Sequence, residues 1–385
     1  MQNVQVHFKK GSNVDAELAK LKNISPQLVL LFGNTEYFTE DGLAKRVSAE
    51  FPHATVIGCS TAGEISNSGV FDETLVVTGT AFEKANLRSA WADVKSMSTT
   101  AETGQALGER LNGADLKAVF VLGCGLDING SALIKGMKGV LKSDVIVTGG
   151  LAGDSGLFQK TFTLLNGQIS DRQAVAFGIY GKDVQVAFGS MGGWEAFGPI
   201  RRVTNSASNV LFELDGEPAL DIYKKYLGDK VANLPFSGLL YPFALLKDNH
   251  DNLGLIRTIL AVNEEEKSLT FAGDIPMGGL VRLMHTNNEG LVAGAKTAAE
   301  SAFQDKSDTS LHENALSILI SCVGRKLIMG DEVEDELDVV REVLGEGTVI
   351  GFYSYGEICP QGTAADCRLH NQTMTVTHFY EKRPA

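Results

Sequence analysis

Cysteine is scarce in this chain: five in 385 residues, and no two of them form a C-x-x-C pair. Cys59, Cys124, Cys322, Cys359 and Cys367 are odd in number and widely spaced. That pattern argues against a disulfide framework, a zinc ribbon and covalent haem attachment, and leaves buried, reduced thiols of a cytosolic protein as the expectation. Basic residues are short as well, with 34 Lys plus Arg against 47 Asp plus Glu and a net charge of −13. Polyanion binding rests on cationic phosphate contacts, so no nucleic acid is expected as a partner, although a small anion in a local basic pocket stays open. No apolar run is long enough to span a bilayer, and Met1 to Lys10 lacks the apolar core of a secretory signal. No membrane insertion and a cytoplasmic location follow as expectations. Prolines number nine against 42 glycines, so many strand ends should take tight turns or close backbone approaches.

Catalytic signatures are missing too. The chain has no G-x-S-x-G elbow, no H-E-x-x-H and no G-x-x-x-x-G-K-[ST], and Gly123-Cys124-Gly125 lacks the third glycine of a dinucleotide fingerprint. His7, His53, His250, His285, His312, His370 and His378 form no metal-spaced pair. Cys59 is a conceivable nucleophile, but nothing near it in sequence supplies a base, so a non-enzymatic protein is the first expectation and a Cys59 enzyme the weakest alternative.

What is present is an alternation of strand and helix signals from residue 28 to about 150. Leu28 to Phe32, Thr55 to Gly58, Ala118 to Leu122 and Val145 to Thr148 are short apolar runs of buried-strand length, with helical stretches between them. Thr39 is the expected cap of a helix carrying Leu43, Val47 and Phe51. From 70 to 94 and from 160 to 215 the runs are β-branched, and Asn166-Gly167 marks a hairpin. An α/β (α+β mixed) fold is predicted, with mixed sheets flanked by helices. A boundary near residue 215 divides it into parts 1–215 and 216–385. Helix 289–304 shows a small-residue face, and helix 331–344 places Val333, Leu337, Val340 and Leu344 on one side. The seven acids on its other faces read as a solvated surface rather than a metal trap.

Val56 to Ile65 aligns without gaps to Val349 to Ile358, with six of ten positions identical. A chain of this length offers so many window pairs that one such match is unsurprising, and no further repeat shows at that offset. The shared logic carries more: an apolar strand runs into a Gly-bounded turn bearing a hydroxyl, followed by a carboxylate. Ser60, Thr61 and the amides of Ala62 and Gly63 can hold a polar headgroup, or can simply bond their own backbone. Gly149-Gly150-Leu151-Ala152-Gly153-Asp154 is a second glycine-dense strand exit, read either as a ligand loop or as a tight chain crossing.

The segment Val56-Ile57-Gly58-Cys59-Ser60-Thr61-Ala62-Gly63-Glu64-Ile65 resembles the hallmark of the FIST family, named for F-box and intracellular signal transduction proteins. Gly149 to Asp154, Trp194 to Thr204, Leu214 to Tyr223, Gly351 to Ile358 and Leu369 to Met374 resemble further segments of that family in the same order. The resemblance implies a two-part FIST N and FIST C architecture and a cytoplasmic sensory protein. Such a protein binds a small ligand, an amino acid or related metabolite, and signals to a separate partner. It places ligand-binding residues at Cys59, Ser60, Thr61, Gly63, Glu64, Gly150, Asp154, Tyr353, Tyr355, Glu357, His370 and Asn371. Stand-alone members of similar kind include haem-dependent nitric-oxide sensors that regulate a histidine kinase. Haem is therefore the leading specific cofactor, with His250 as its first-choice ligand and Cys359 as a second candidate.

Overall fold

A computed structural model describes residues 1–382 apart from 40–41, 235, 248–251 and 304–311. His250 therefore lies outside the described residues. The first 81 residues make β1 (Gln2–Phe8), α1 (Val14–Lys22), β2 (Leu28–Gly33), α2 (Leu43–Glu50), β3 (Thr55–Ser60), β4 (Glu64–Ser66), β5 (Gly69–Phe71) and β6 (Leu75–Ala81). The same succession follows at once in β7 (Asn86–Asp93), α3 (Thr100–Leu111), β8 (Leu116–Gly123), α4 (Gly130–Lys138), β9 (Ile146–Leu151), β10 (Thr163–Leu165), β11 (Gln168–Ser170) and β12 (Gln173–Tyr180).

After β13 (Val184–Met191) the chain makes a separate, antiparallel excursion. It runs through β14 (Glu195–Ala207), β15 (Val210–Leu214), β16 (Glu217–Pro218), α5 (Ala219–Leu227), β17 (Phe243–Leu246), β18 (Asn252–Arg257), β19 (Ile259–Asn263), β20 (Ser268–Phe271) and β21 (Leu280–His285). These strands form one eight-stranded sheet with its own core around Leu220, Tyr223, Phe243, Leu269 and Phe271. The succession then resumes as α6 (Asn288–Ala302), β22 (Leu316–Cys322), α7 (Val323–Met329), α8 (Val333–Leu344), β23 (Thr348–Ser354), β24 (Gly356–Pro360), β25 (Cys367–His370) and β26 (Met374–Glu381).

The three units build three equivalent six-stranded sheets by exchanging hairpins in a ring. Their orders are β1-β6-β2-β3-β10-β11, β7-β12-β8-β9-β24-β25 and β13-β26-β22-β23-β4-β5. In each, the two central strands are parallel and the last two are a hairpin donated by another unit. Strands from both sides of residue 215 therefore share sheets.

The gapless match between 56–65 and 349–358, expected to be coincidence, is the same strand-to-hairpin passage in the first and third units. Gly58, Gly149 and Gly351 occupy equivalent sites opposite Leu31, Val121 and Leu319. A Cβ there would stand 2.1, 1.8 and 1.9 Å from the partner's carbonyl oxygen, so the parallel strands close up only because each position is glycine.

The inner faces of the three sheets meet in one core, where Leu30, Phe32, Ile57, Phe120, Phe177, Ile318, Ile320, Ile350 and Phe352 are buried together. Alternate residues of the same strands, such as Val29, Leu31, Val119 and Leu319, face outward and are covered by the helices. Helix α6 lies close on β13 because its face is Ala295, Ala298 and Ala302. A Cβ on Gly189 would meet the Ala298 carbonyl oxygen at 1.9 Å. Helix α2 begins at Gly42 rather than at Thr39, which closes a preceding 3₁₀ turn.

Helix α8 corrects a second expectation: of its acids, Glu336 is fully buried. It accepts from the Arg325 guanidinium at 2.7 and 3.0 Å, from Ser321 Oγ at 3.0 Å and from Tyr353 Oη at 2.7 Å. Arg325 also donates to the carbonyls of Gly192 and Leu291, tying α7 to α6 and to the turn after β13.

Candidate functional site

The three strand exits converge. Ser60 Oγ donates to the Gly153 carbonyl at 2.7 Å and accepts from Phe162 N–H at 2.8 Å. Ala62 N–H donates to the Tyr353 carbonyl, Tyr353 N–H to that of Gly63, and Tyr355 N–H to that of Leu151. The segments around Ser60, Asp154 and Tyr355 are thus brought into one place, but most of their polar groups are committed to one another.

Thr61 Oγ1 donates to Glu64 Oε1, and Thr74 donates to Glu64 Oε2 through both its amide and its hydroxyl. The third unit repeats this with Ser354 Oγ donating to Glu357 Oε1 and Thr373 N–H to Glu357 Oε2. Burial pushes the Glu64 carboxyl up to about 7, against the pull of its hydrogen bonds, and it raises Glu357 by the same cause. These carboxyls close turns.

Cys59 is sealed in the central core opposite Phe32, and burial holds its thiol well above the usual range. That state is inert rather than nucleophilic. All five cysteines are buried and free of disulfides, as composition predicts. Gly150 packs against Ile320, and Tyr353 is turned to Glu336. His370 is buried with Nε2 on the Cys359 carbonyl at 3.0 Å, and burial lowers its pKa to about 4, so it stays neutral. Cys359 faces the Gly189 carbonyl with its thiol pKa driven up by burial.

Two of the expected residues, Tyr355 and Asn371, border a recess of about 290 Å³. Its walls come from Gly156 and Phe158 after β9, Leu239 before β17, Thr258 to Leu260 at the bend from β18 to β19, Ala272, and Cys322 to Gly324 with Leu327 at the start of α7. It lies where the loop of the second unit, the inserted sheet and the third unit meet.

Asp154 organises one wall. Its carboxylate accepts from the amides of Phe158, Gln159 and Lys160 at 2.8, 2.6 and 2.8 Å, and from the Tyr355 hydroxyl. That cage holds Phe158 in the left-handed region, at φ 53°, stacked on Tyr355 with ring centroids 4.2 Å apart. Burial and the Asp154 carboxylate drive the Tyr355 phenol upward, so it remains a phenol.

Two residues that border the recess carry side-chain polar atoms without a partner. Asn371 is 1% exposed, yet neither Nδ2 nor Oδ1 makes a hydrogen bond among the described residues. Thr258 Oγ1 is buried in the same state. A buried polar atom without a partner is costly, and these atoms are closed off from the recess as well as from solvent. Sequence reasoning missed Thr258, Phe158 and the α7 wall, since neither spacing nor composition marks a residue whose hydroxyl is left unpaired.

Among the described residues, those bordering the recess include no Lys, Arg, Asp, Glu or His. Haem needs an axial donor and polar company for its propionates. Here the Cys322 thiol is kept protonated by burial and Tyr355 is bound to Asp154. The residues of this recess do not fit haem, and no group of three or more His, Cys, Asp or Glu side chains is placed to hold a metal among the described residues.

A three-sheet α/β assembly with a ligand-sized recess at its strand exits is the class of protein that fold and geometry define. Sequence comparison makes it specific: the chain belongs to the FIST family, matching the FIST N domain over residues 27–217 and the FIST C domain over residues 219–360. FIST domains are associated with sensing in signal transduction. An uncharacterized protein of Methanocaldococcus jannaschii is 26% identical over 264 residues, an alignment covering 61% of this chain and 48% of that protein. The match thus spans about half the length of that relative. A crystal structure of cyanuric acid hydrolase from A. caulinodans aligns over 99% of both chains at 8% identity, with a TM-score of 0.37, which is too low to carry an argument. No helix among the described residues is long and apolar enough to cross a membrane.

Proposed function

We propose that this chain is a cytoplasmic, non-enzymatic sensor whose small-molecule ligand sits in the Tyr355–Asn371 recess and whose bound state is read by a separate signalling protein. One observation carries the reading: a recess of about 290 Å³ is bordered by both Tyr355 and Asn371, from two of the family segments, beside the loop that Asp154 holds in place. A metabolite is favoured over haem because the recess is small and offers no available axial donor among its described residues. Within the family resemblance, a histidine kinase is the partner class to test first. Ligand shifts such a partner only if it binds two states of the sensor unequally. Tyr355 offers the link, since it touches both the recess and the Asp154 cage of the 154–160 loop.

The test uses the full chain dialysed against a small-molecule cell extract, with retained compounds identified by mass spectrometry. Leu327 is 46% exposed on the recess wall, so Leu327→Trp should fold and plug it. Retention by the parent and loss in the plugged variant is the expected result. Equal retention in both, or none in either, overturns the assignment.

A further inference from the structure

The inserted strands, residues 194–286, form a body of their own. Their buried side chains make two apolar clusters, one around Leu220, Tyr223 and Phe271 and one around Ala244, Ile256 and Met284. Among the described residues, neither cluster shares a member with those of the three-sheet ring. An interface without a common apolar core leaves two bodies free to move against each other.

The chain crosses between the bodies twice, and the two crossings lie side by side. Gly192-Gly193 leads in, with Gly193 at φ 76°, and Thr286-Asn287 leads out. Thr286 Oγ1 donates to the Gly193 carbonyl at 2.7 Å, and just beyond it Glu195 pairs with His285. The ring side of this crossing is fixed, because Arg325 holds the carbonyls of Gly192 and Leu291. Two adjacent strands anchored at one end have the geometry of a hinge.

Away from the crossing, the seam between the bodies is poorly satisfied. The insert brings Arg257, 4% exposed, whose guanidinium donates to the carbonyls of Asp274, Ile256 and, across the seam, Leu369. All three acceptors are neutral, and no carboxylate among the described residues is hydrogen-bonded to this buried cation. On the two facing sides, six polar atoms are buried without a hydrogen-bond partner: Ser237 Oγ and Thr258 Oγ1 of the insert, and His370 Nδ1, Asn371 Nδ2 and Oδ1 and Gln372 Oε1 of the ring. Gln372 Nε2 reaches across to the Leu239 carbonyl at 3.2 Å. Closing the seam takes these groups out of water with little to replace it, and opening returns them.

We infer that the inserted sheet swings as one body about the Gly192-Gly193 and Thr286-Asn287 crossing, opening and closing the seam between residues 257–258 and 369–372. The recess lies in that seam, with Leu239, Ile259 and Leu260 on the moving side and Phe158, Val323 and Leu327 on the fixed side. A guest touching both sides favours the closed state, which supplies the second state that the sensor reading needs. The swing itself requires no ligand.

Double electron–electron resonance on the full chain tests it, with spin labels on exposed helix sites. Lys225→Cys lies on α5 of the insert, and Lys135→Cys and Glu342→Cys lie on α4 and α8 of the ring. All five native thiols are buried, so the labels go to the introduced sites. Pairs from position 225 to either ring site should give a broad or two-peaked distance distribution, and the pair within the ring a single narrow one. Thr258→Trp wedges the seam and should shift both cross-seam distances while the ring pair stays narrow.

Cross-seam distances as narrow as the ring pair in the parent, and unshifted by the wedge, would overturn the hinge. Narrow parent distances together with a wedge variant that only unfolds, seen as broadening of the ring pair, would overturn it too. The extract experiment is decided separately. Retention lost in Leu327→Trp sustains the sensor even where the two bodies prove rigid, and distances read without ligand sustain the hinge even where nothing is retained.

Discussion

The Tyr355 hydroxyl donates to the carboxylate of Asp154, 201 residues away in sequence, and the same carboxylate takes three consecutive backbone amides. One buried acid thus fixes both the shape of the 154–160 loop and the position of an aromatic wall. Charged acceptors make the stronger class of hydrogen bond, and their removal leaves buried donors with nothing to bond.

Asp154→Ala is expected to lower unfolding free energy by about 3 kcal/mol, since four donors lose one acceptor. Tyr355→Phe removes one of those donors and the acceptor of the Asp154 amide at 3.3 Å, and should cost less, about 1–2 kcal/mol. Urea denaturation of the two variants reads the difference. Near-equal losses would mean the carboxylate does not act as the common acceptor.

Arg325 and Glu336 are both fully buried, with guanidinium and carboxylate 2.7 Å apart. Removing one member leaves the other charged and unpaired, so Arg325→Met should cost about 3–5 kcal/mol. The double change Arg325→Met with Glu336→Leu restores apolar pairing and should be less damaging than Arg325→Met alone. A double-mutant cycle in urea measures the coupling; strictly additive losses would contradict a direct pair.

Much of this architecture can be read from sequence. Strand and helix succession was legible because buried parallel strands are short apolar runs and outer helices carry 3.6-residue periodicity, as in Leu28–Gly33 and Val333–Leu344. The Asn166-Gly167 hairpin formed where turn chemistry puts it, with both residues at positive φ. The ring exchange of hairpins was not legible, since β4 pairing with β23 is a choice among distant edges that no local pattern encodes. The repeat stayed hidden because, counted from the equivalent glycines, the second unit carries Ala152 where the others carry a hydroxyl and Ser155 where they carry Glu. Asn371 and Tyr355 were reached through family resemblance. Thr258 and the burial of Glu336 follow from three-dimensional packing alone.

The three equivalent glycines give a direct check on the repeat. A methyl group at Gly351 would fall 1.9 Å from the Leu319 carbonyl oxygen, and at Gly149 1.8 Å from that of Val121. Backbone cannot give way cheaply inside a parallel pair. Gly351→Ala and Gly149→Ala are each expected to destabilise by about 3 kcal/mol or more, far beyond an ordinary strand Gly→Ala change. Gly362→Ala, in an exposed turn with nothing within 4 Å, should cost much less, limited to its positive φ of 77°. Thermal melts that rank Gly362→Ala beside the core variants would count against the close strand approach.

Acid and alkali should weaken the fold through different residues. Burial lowers His378 to about 3 and His370 to about 4 from an ordinary 6.5, so the unfolded chain takes up these protons first. Their contribution falls as pH drops below 6.5. Glu64, raised from 4.5 to about 7, and Glu357, also raised, work the other way. The folded state keeps these protons, so the stability they confer is complete below 4.5 and is lost as pH rises through 7. The two trends oppose between 4.5 and 6.5, and above 6.5 only the carboxyls act. Urea midpoints should therefore fall between about pH 6 and about pH 8. Glu64→Gln, which carries no titrating proton, should flatten that arm. An unchanged slope in the variant would assign the decline elsewhere.

Haem gives the sharpest contrast between ligand classes. Iron in a tetrapyrrole takes a neutral imidazole, a thiolate, a thioether or a tyrosinate from the protein. Of the residues that border the recess, the thiol of Cys322 and the phenol of Tyr355 are both held in their protonated forms, and His370 is not among the described residues that border it. Titrating haem into the purified full chain is expected to give only the broad absorption of unspecific association, unaffected by Leu327→Trp. A sharp, saturable Soret band that shifts with nitric oxide would reverse this. Its loss in Leu327→Trp would place the iron in the recess, whereas its loss in His250→Ala alone would place it at His250 and leave the recess to a second ligand.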